Sequence, residues 1–228
     1  MSGRTLFVTG SDTGVGKTFV TCAFAHALRA RGWRVAVCKP VETGVETSPH
    51  DALALRAAAG DTAPLEDICP YRLRAPLAPS VAAAAEGVVI EPERLAALLV
   101  RRARGADVLL VEGAGGLLVP LSGTTTFLDL AVRLQLPLVI VGANRLGTIN
   151  HCALTARVAA AAGLIVPGFV LSQPSPITDP SSATNAETIS TLTGLSCLGV
   201  LPYLPGPASA AALLRWPLEA PSTPPAQP

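Results

Sequence analysis

Nine residues near the start of the chain, Gly10-Ser11-Asp12-Thr13-Gly14-Val15-Gly16-Lys17-Thr18, combine glycines, a lysine and a hydroxyl in a pattern that cradles phosphate. The backbone N–H groups of such a loop point inward around an anion, and the helix start that follows adds partial positive charge. Lys17 is placed to bridge the β- and γ-phosphates of a nucleoside triphosphate, and the Thr18 hydroxyl to coordinate Mg²⁺. The match to G-x-x-x-x-G-K-[ST] fails by one residue. Five residues separate Gly10 from Gly16, and Ser11 stands where a glycine is expected. Context favours the phosphate reading over a plain glycine turn: Thr5–Thr9 reads as a strand that feeds the loop, and a helical pattern follows.

Lys17 and Lys39 are the only lysines among 17 cationic side chains. A chain that uses arginine wherever charge alone matters marks these two as candidates for chemistry needing a compact ammonium. Lys39 ends the apolar run Val35–Cys38 in Cys38-Lys39-Pro40-Val41-Glu42-Thr43-Gly44. Ligands of an open α/β sheet sit at the carboxyl ends of its strands. If this strand neighbours the first, Lys39 faces the same crevice as Lys17; an edge-strand lysine in solvent is the alternative. Pro40 rules out continuation as a central strand. Glu112 follows the strand Asp107–Val111 and precedes Gly113-Ala114-Gly115-Gly116, glycines that permit close backbone approach to a ligand. It resembles the magnesium-side acid of a phosphate-loop enzyme. Asp51 opens the helical pattern Ala52–Ala59 and, taken alone, reads as an N-cap.

The elements that must position these groups alternate. Strands are expected at Leu6–Thr9, Val35–Lys39, Val108–Val111, Leu138–Val141, Gly168–Leu171 and Leu198–Leu201. Helices are expected at Thr18–Ala30, Ala52–Ala59, Glu93–Arg104, Phe127–Leu134, Thr148–Ala162 and Ala183–Thr193. That order implies an α/β fold, a mostly parallel sheet with helices on both faces. Gly32 and Gly163 serve as helix stops and Pro92 as a helix start. The proline-rich stretch Cys69–Ser80 reads as an ordered loop near the ligand edge, and Pro217–Pro228 as a disordered tail. With no repeat and no linker, residues 1–216 form one domain.

Composition excludes several classes. Half of the 228 residues are hydrophobic and 14% charged, so a large core is available; with 4% aromatic it is packed with Ala, Val and Leu. A net charge of +1 without basic runs argues against a nucleic-acid partner. No stretch is long and unbroken enough for a membrane span, and the start lacks a signal-peptide apolar region. Five cysteines without C-x-x-C spacing read as reduced thiols of a cytoplasmic protein. The three histidines lack zinc-ligand spacing.

Five motifs in order resemble the dethiobiotin synthetase family. They are the loop 10–18, Lys-Pro-Val-Glu-Thr-Gly at 39–44, His-Asp-Ala-Leu-Ala-Leu at 50–55, Val-Glu-Gly-Ala-Gly-Gly at 111–116 and Leu-Gly-Thr-Ile-Asn-His at 146–151. The resemblance runs from the first strand to about Leu204 and implies a single-domain, P-loop NTPase-like fold in a homodimer with shared active sites. It implies ATP-dependent closure of a cyclic urea on 7,8-diaminononanoate with CO₂, through a carbamate that attacks the γ-phosphate. Two anions must then meet, which requires fixed positive charge from Lys17, Lys39 and Mg²⁺.

The resemblance also implies residue roles. Thr13 to Phe19 (Thr13, Gly14, Val15, Gly16, Lys17, Thr18, Phe19) and Glu112 with Gly113, Ala114 and Gly115 would hold the nucleotide. Thr18, Asp51 and Glu112 would hold Mg²⁺, which moves Asp51 from cap to ligand. Lys39 would neutralise the carbamate and the transferring phosphoryl group, and Thr43 would contact the diamine. Gly115 and Gly116 would line the phosphate and substrate crevice. Leu146, Gly147, Thr148, Ile149 and Asn150 would bind the substrate carboxylate across the dimer. Pro202, Tyr203 and Leu204 would wall the base pocket, with Ser172 and Gln173 opposite.

Two departures from the family pattern stand out. Gly14 replaces an acidic side chain of some relatives. Ser172-Gln173-Pro174 replaces an Asn-Asp-like pair whose amide reads adenine; a serine has no paired donor and acceptor. Relaxed base selectivity is therefore expected, with CTP, GTP or UTP competing with ATP. Two rivals are weaker. A partition-type switch ATPase of the same fold has a lysine where Asp12 stands. A cobyrinic acid amidase-like synthetase carries a glutaminase domain for which no room is expected after Leu204.

Overall fold

The computed structural model describes residues 4–218. Among these, six strands form one parallel sheet in which all neighbours run the same way. In chain order they are β1 (Arg4–Gly10), β2 (Val35–Cys38), β5 (Val108–Gly116), β8 (Leu138–Ala143), β9 (Gly168–Ser172) and β10 (Cys197–Leu201). Their spatial order is β10-β9-β8-β1-β5-β2. The short pairs β3 (Val41–Thr43) with β4 (Tyr71–Leu73), and β6 (Pro120–Ser122) with β7 (Thr125–Thr126), stand apart from it.

The period of two along each strand builds two cores. Phe7, Leu109, Val111, Leu138, Ile140 and Phe169 face α5 (Pro92–Arg104), α6 (Phe127–Leu134) and α7 (Thr148–Ala161). Leu6, Val8, Val37, Leu110, Val139 and Val170 face α1 (Lys17–Arg29) and α2 (His50–Ala59). Apolar side chains on both faces are what a parallel sheet covered on both sides requires. The remaining helices are α3 (Leu65–Ile68), α4 (Pro79–Ala85), α8 (Asn185–Thr193) and α9 (Pro207–Ala210).

Both sheet edges are occupied. On β2, Val37 N–H donates to Asp61 at 3.0 Å and Val37 C=O accepts from Arg102 at 3.1 Å, while Asp61 and Arg102 pair with each other. On β10, Leu198 C=O accepts from Arg215 N–H at 2.8 Å. These contacts use edge groups that could otherwise pair with another chain.

Several expectations change. The second strand ends at Cys38, and Lys39 N–H turns away to Ile68 C=O at 2.7 Å. Its neighbour is β5 rather than β1, because β5 inserts between them. The third strand runs on through Glu112 to Gly116, so the acid lies within β5 and not after it. Asp51 is the second residue of α2, whose N-cap is Pro49. The stretch Cys69–Ser80 holds β4, paired parallel with β3, and the start of α4, so backbone pairing orders it despite its prolines. The tail expected to be disordered lies, from residue 219 onward, outside the described residues.

Candidate active site

The phosphate loop leaves the centre of the sheet, between β1 and α1, where the neighbouring strands can reach it. Its shape depends on Gly16, at φ 89°: a Cβ there would lie 2.3 Å from Ser172 Oγ. Ser172 is buried, and its hydroxyl donates to Val15 C=O at 3.1 Å, so this side chain braces the loop from below. Ser11 N–H ties the loop to Val141 C=O at 2.8 Å. Lys17, buried, folds back to the Asp12 carbonyl at 3.0 Å. Gly10 makes room for it, since a Cβ there would meet Lys17 Nζ at 2.8 Å. Burial, reinforced by the nearby charge of Lys39, lowers the Lys17 pKa to about 8.

Beside this loop sits a buried charge cluster. Lys39 Nζ donates to Glu112 Oε1 at 2.5 Å, to Asp51 Oδ2 at 2.9 Å and to Gly113 C=O at 3.4 Å. Thr18 Oγ1 donates to the same Glu112 oxygen at 2.8 Å. Burial works against the charge of Lys39, but Glu112 and Asp51 outweigh it and raise the ammonium above its ordinary value. Asp51 pays for partial burial yet is lowered, because Lys39 and Thr18 favour its ionised form. Lys39 thus reaches the loop although a whole strand separates β2 from β1: Glu112, on that strand, is its partner.

Glu112 Oε2 is buried and has no hydrogen-bond partner among the described residues. Together with the Thr18 hydroxyl, which bonds the other Glu112 oxygen, and the Asp51 carboxylate, which shares Lys39 with it, this orphaned oxygen makes an all-oxygen donor set. Such a set suits a small hard cation such as Mg²⁺ that keeps further ligands from phosphate and water.

Two cavities flank the loop and share Thr13. One, of 250 Å³, is lined by Lys17, Thr18, Lys39, Glu42, Thr43 and Asp51, with Thr13, Gly14, Ala114 and Gly115. The other, of 460 Å³, is more apolar and lies between Gly116–Pro120 and Leu154, Thr155 and Val158 of α7. Thr13 and Gly116 of its walls are expected from sequence; the rest are not, although the run Leu117-Leu118-Val119-Pro120 after Gly116 is a signal. Glu42 was quoted within a motif but given no task.

The other sequence-derived residues lie further out. Leu146 is 81% exposed, and Gly147, at φ 92°, caps α7. Thr148 turns inward to Cys152 Sγ at 3.6 Å, while Ile149 and Asn150 occupy the first turn of α7. Leu146 and Thr148 border a 110 Å³ hollow that reaches Ser11, Asp12 and Val15. Phe19 is half-buried against the core behind α1, and Val15 is buried. Gln173 N–H is bonded to Leu201 C=O at 2.9 Å. Pro202, Tyr203 and Leu204 follow β10 at the sheet edge and are not brought to the charge cluster.

A family described as AAA domain matches residues 4–210. The protein from Anaeromyxobacter dehalogenans strain 2CP-C named ATP-dependent dethiobiotin synthetase BioD is 46% identical, over 92% of this chain and 95% of its own length. The protein of that name from Xanthomonas euvesicatoria pv. vesicatoria is 43% identical, over 90% of this chain and 93% of its own. The chain belongs to the dethiobiotin synthetase family. Dethiobiotin synthetases are ATP-dependent ligases, so nucleotide use and the phosphate loop agree. Among solved structures, a ParA family ATPase from Chlorobium tepidum TLS superimposes with a TM-score of 0.56 at 15% identity, over 90% of this chain and 86% of its own. Chloroplast FtsY from Physcomitrella patens gives 0.51 at 15% identity, over 92% and 64%. These show a shared fold and nothing finer. Among the described residues no helix is long and apolar enough to cross a membrane.

Proposed function

We propose that this protein carboxylates 7,8-diaminononanoate with CO₂ and closes the ring to dethiobiotin, consuming ATP with Mg²⁺ and releasing ADP and phosphate. The observation that carries this reading is the pair of buried lysines on one 250 Å³ cavity, joined at Thr13 to an apolar 460 Å³ cavity. The charged cavity suits the reacting anions, and the apolar one suits an alkyl chain. One amine of the diamine attacks CO₂ and loses a proton, giving the carbamate. A carbamate oxygen attacks the γ-phosphorus and ADP leaves. The second amine attacks the carbonyl carbon and loses a proton, and the C–O bond breaks to release phosphate.

In this scheme Lys17 holds the phosphates, and Lys39 offsets the charge of the carbamate and the transferring phosphoryl group. Thr43 lines the same cavity and is available to a diamine nitrogen. Thr18, Asp51 and Glu112 would hold Mg²⁺, which supplies charge neutralisation at the phosphates. Gly115 and Gly116 keep the backbone close to the crevice. The exposed apolar side chains Leu118 and Leu154 on the larger cavity, and Leu146 on the 110 Å³ hollow, support a homodimer that shares the substrate site through Leu146–Asn150. Five free thiols, four of them buried, fit the cytoplasm.

Phosphate release measured with diamine, bicarbonate and Mg-ATP, omitting each in turn, tests the assignment. Release is expected only with all present; release that ignores the diamine would sink it. Base selectivity follows from Ser172, whose hydroxyl is committed to Val15 C=O. The one amide beside it, Gln173, is followed by Pro174, which restricts its backbone, and its Nε2 donates to Thr178 Oγ1 at 3.4 Å. CTP, GTP and UTP are therefore expected to compete with ATP, and turnover confined to ATP would refute this.

A further inference from the structure

Helix α2 starts without a cap of its own. Its N-cap residue is Pro49, whose side chain has no acceptor, although a helix start leaves N–H groups that need one. A capping side chain would take the second or third N–H of the helix. Here these belong to Asp51 and Ala52. Both are taken by one residue from another element. Glu42, on β3, accepts from Asp51 N–H with Oε1 at 3.0 Å and from Ala52 N–H with Oε2 at 2.9 Å. Glu42 is 7% exposed, and β3 is itself held by pairing with β4, where Glu42 sits opposite Arg72.

The same short segment also carries Lys39. Asp51 is therefore held at two points from one stretch of chain: Lys39 on its carboxylate at 2.9 Å, and Glu42 on its backbone N–H. The Asp51 side chain is 41% exposed, so packing does little to fix its direction. Its placement depends on where the first turn of α2 lies.

We propose that Glu42 is a positioning residue for the metal site: its carboxylate replaces the missing cap of α2 and sets where Asp51 enters the cavity. This rests on the reading of Thr18, Asp51 and Glu112 as the Mg²⁺ donors. Each Glu42 oxygen accepts from a helix N–H, and these bonds join the residue to Asp51 and Ala52.

The test compares the wild type with E42A and the double variant E42A/P49S. Serine at position 49 is a good N-cap and can accept from the same N–H groups that Glu42 serves. Calorimetry gives the affinity for a non-hydrolysable ATP analogue in Mg²⁺ and in EDTA, and the ratio of the two is the readout; thermal unfolding is followed alongside. E42A is expected to lower the ratio by about tenfold or more, as loss of an outer-shell partner does, with the EDTA affinity kept because the phosphate loop is untouched. E42A/P49S is expected to regain much of it. Should E42A fail to fold, E42Q, which keeps one acceptor oxygen, carries the same comparison with and without P49S.

A ratio that stays at the wild-type value in E42A or E42Q while the unfolding temperature falls would make Glu42 purely structural and overturn the proposal. So would a double variant that recovers its unfolding temperature but not its ratio, since Glu42 would then touch metal or substrate directly. A wild type whose affinity ignores Mg²⁺ would remove the metal reading and this inference with it, an outcome distinct from both.

Discussion

Replacing Lys39 tests the charge cluster most directly. Lys39 is 3% exposed, and its ammonium is shared by Asp51 and the fully buried Glu112. K39M keeps the length and removes the charge. Glu112 is then left with the Thr18 hydroxyl as its remaining side-chain partner, deep in the protein. Breaking a buried pair in this way costs about 3–5 kcal/mol. For a chain of this size each 1 kcal/mol shifts the unfolding temperature by about 2–4 °C, so K39M is expected to melt roughly 6–20 °C lower in EDTA. K39R keeps the charge but must fit a wider planar group among Glu112, Asp51 and the Gly113 carbonyl, at an overpacking cost of about 1–3 kcal/mol. Both variants are expected to lose about 100-fold or more in turnover, the scale for removing a donor aimed at developing charge. Thermal unfolding and phosphate release measured on the same preparations decide it. Near-normal melting and turnover in both variants would refute the cluster as a site of catalysis and return the two lysines to coincidence.

Two further outcomes follow from the loop. G16A places a Cβ at φ 89° and 2.3 Å from Ser172 Oγ, so nucleotide binding should be lost, and a titration with fluorescent nucleotide showing wild-type affinity would contradict the role given to that glycine. Lys17, with a pKa of about 8 in the free protein, should have a higher value when phosphates surround it. Its contribution to affinity is then complete below about pH 8 and is lost as pH rises towards the bound value, weakening binding by up to about tenfold per pH unit. Affinity that stays flat from pH 7 to 9.5 would show that Lys17 does not lie against the phosphates.

The order of elements and the phosphate loop were legible because they rest on local signals. Val35–Cys38 and Leu138–Val141 are apolar runs of strand length, and the spacing of Gly10, Gly16, Lys17 and Thr18 lies within one turn of chain. The lysine count drew attention to Lys39 for a chemical reason that needs no fold. What could not be read locally was which strand stands beside which. Lys39 looked useful only if β2 adjoined β1, and β5 in fact lies between them; the strand that seemed to separate Lys39 from the loop brings Glu112 to meet it.

The same holds for side-chain tasks. Ser172 was read as a poor base reader from its type, but that its hydroxyl braces Val15 across 157 positions is a matter of tertiary packing. Asp51 reads as a cap because it opens a helix, yet the cap comes from Glu42 on β3, whose partner strand β4 lies in a proline-rich stretch with no strand signal. The sequence by itself determined the class of fold and the phosphate loop and pointed to two ammonium groups, since residue type and short spacing carry those. Only the tertiary structure decided which carboxylates the Lys39 ammonium faces and what holds them there, because partners from separate elements meet only when the sheet orders its strands.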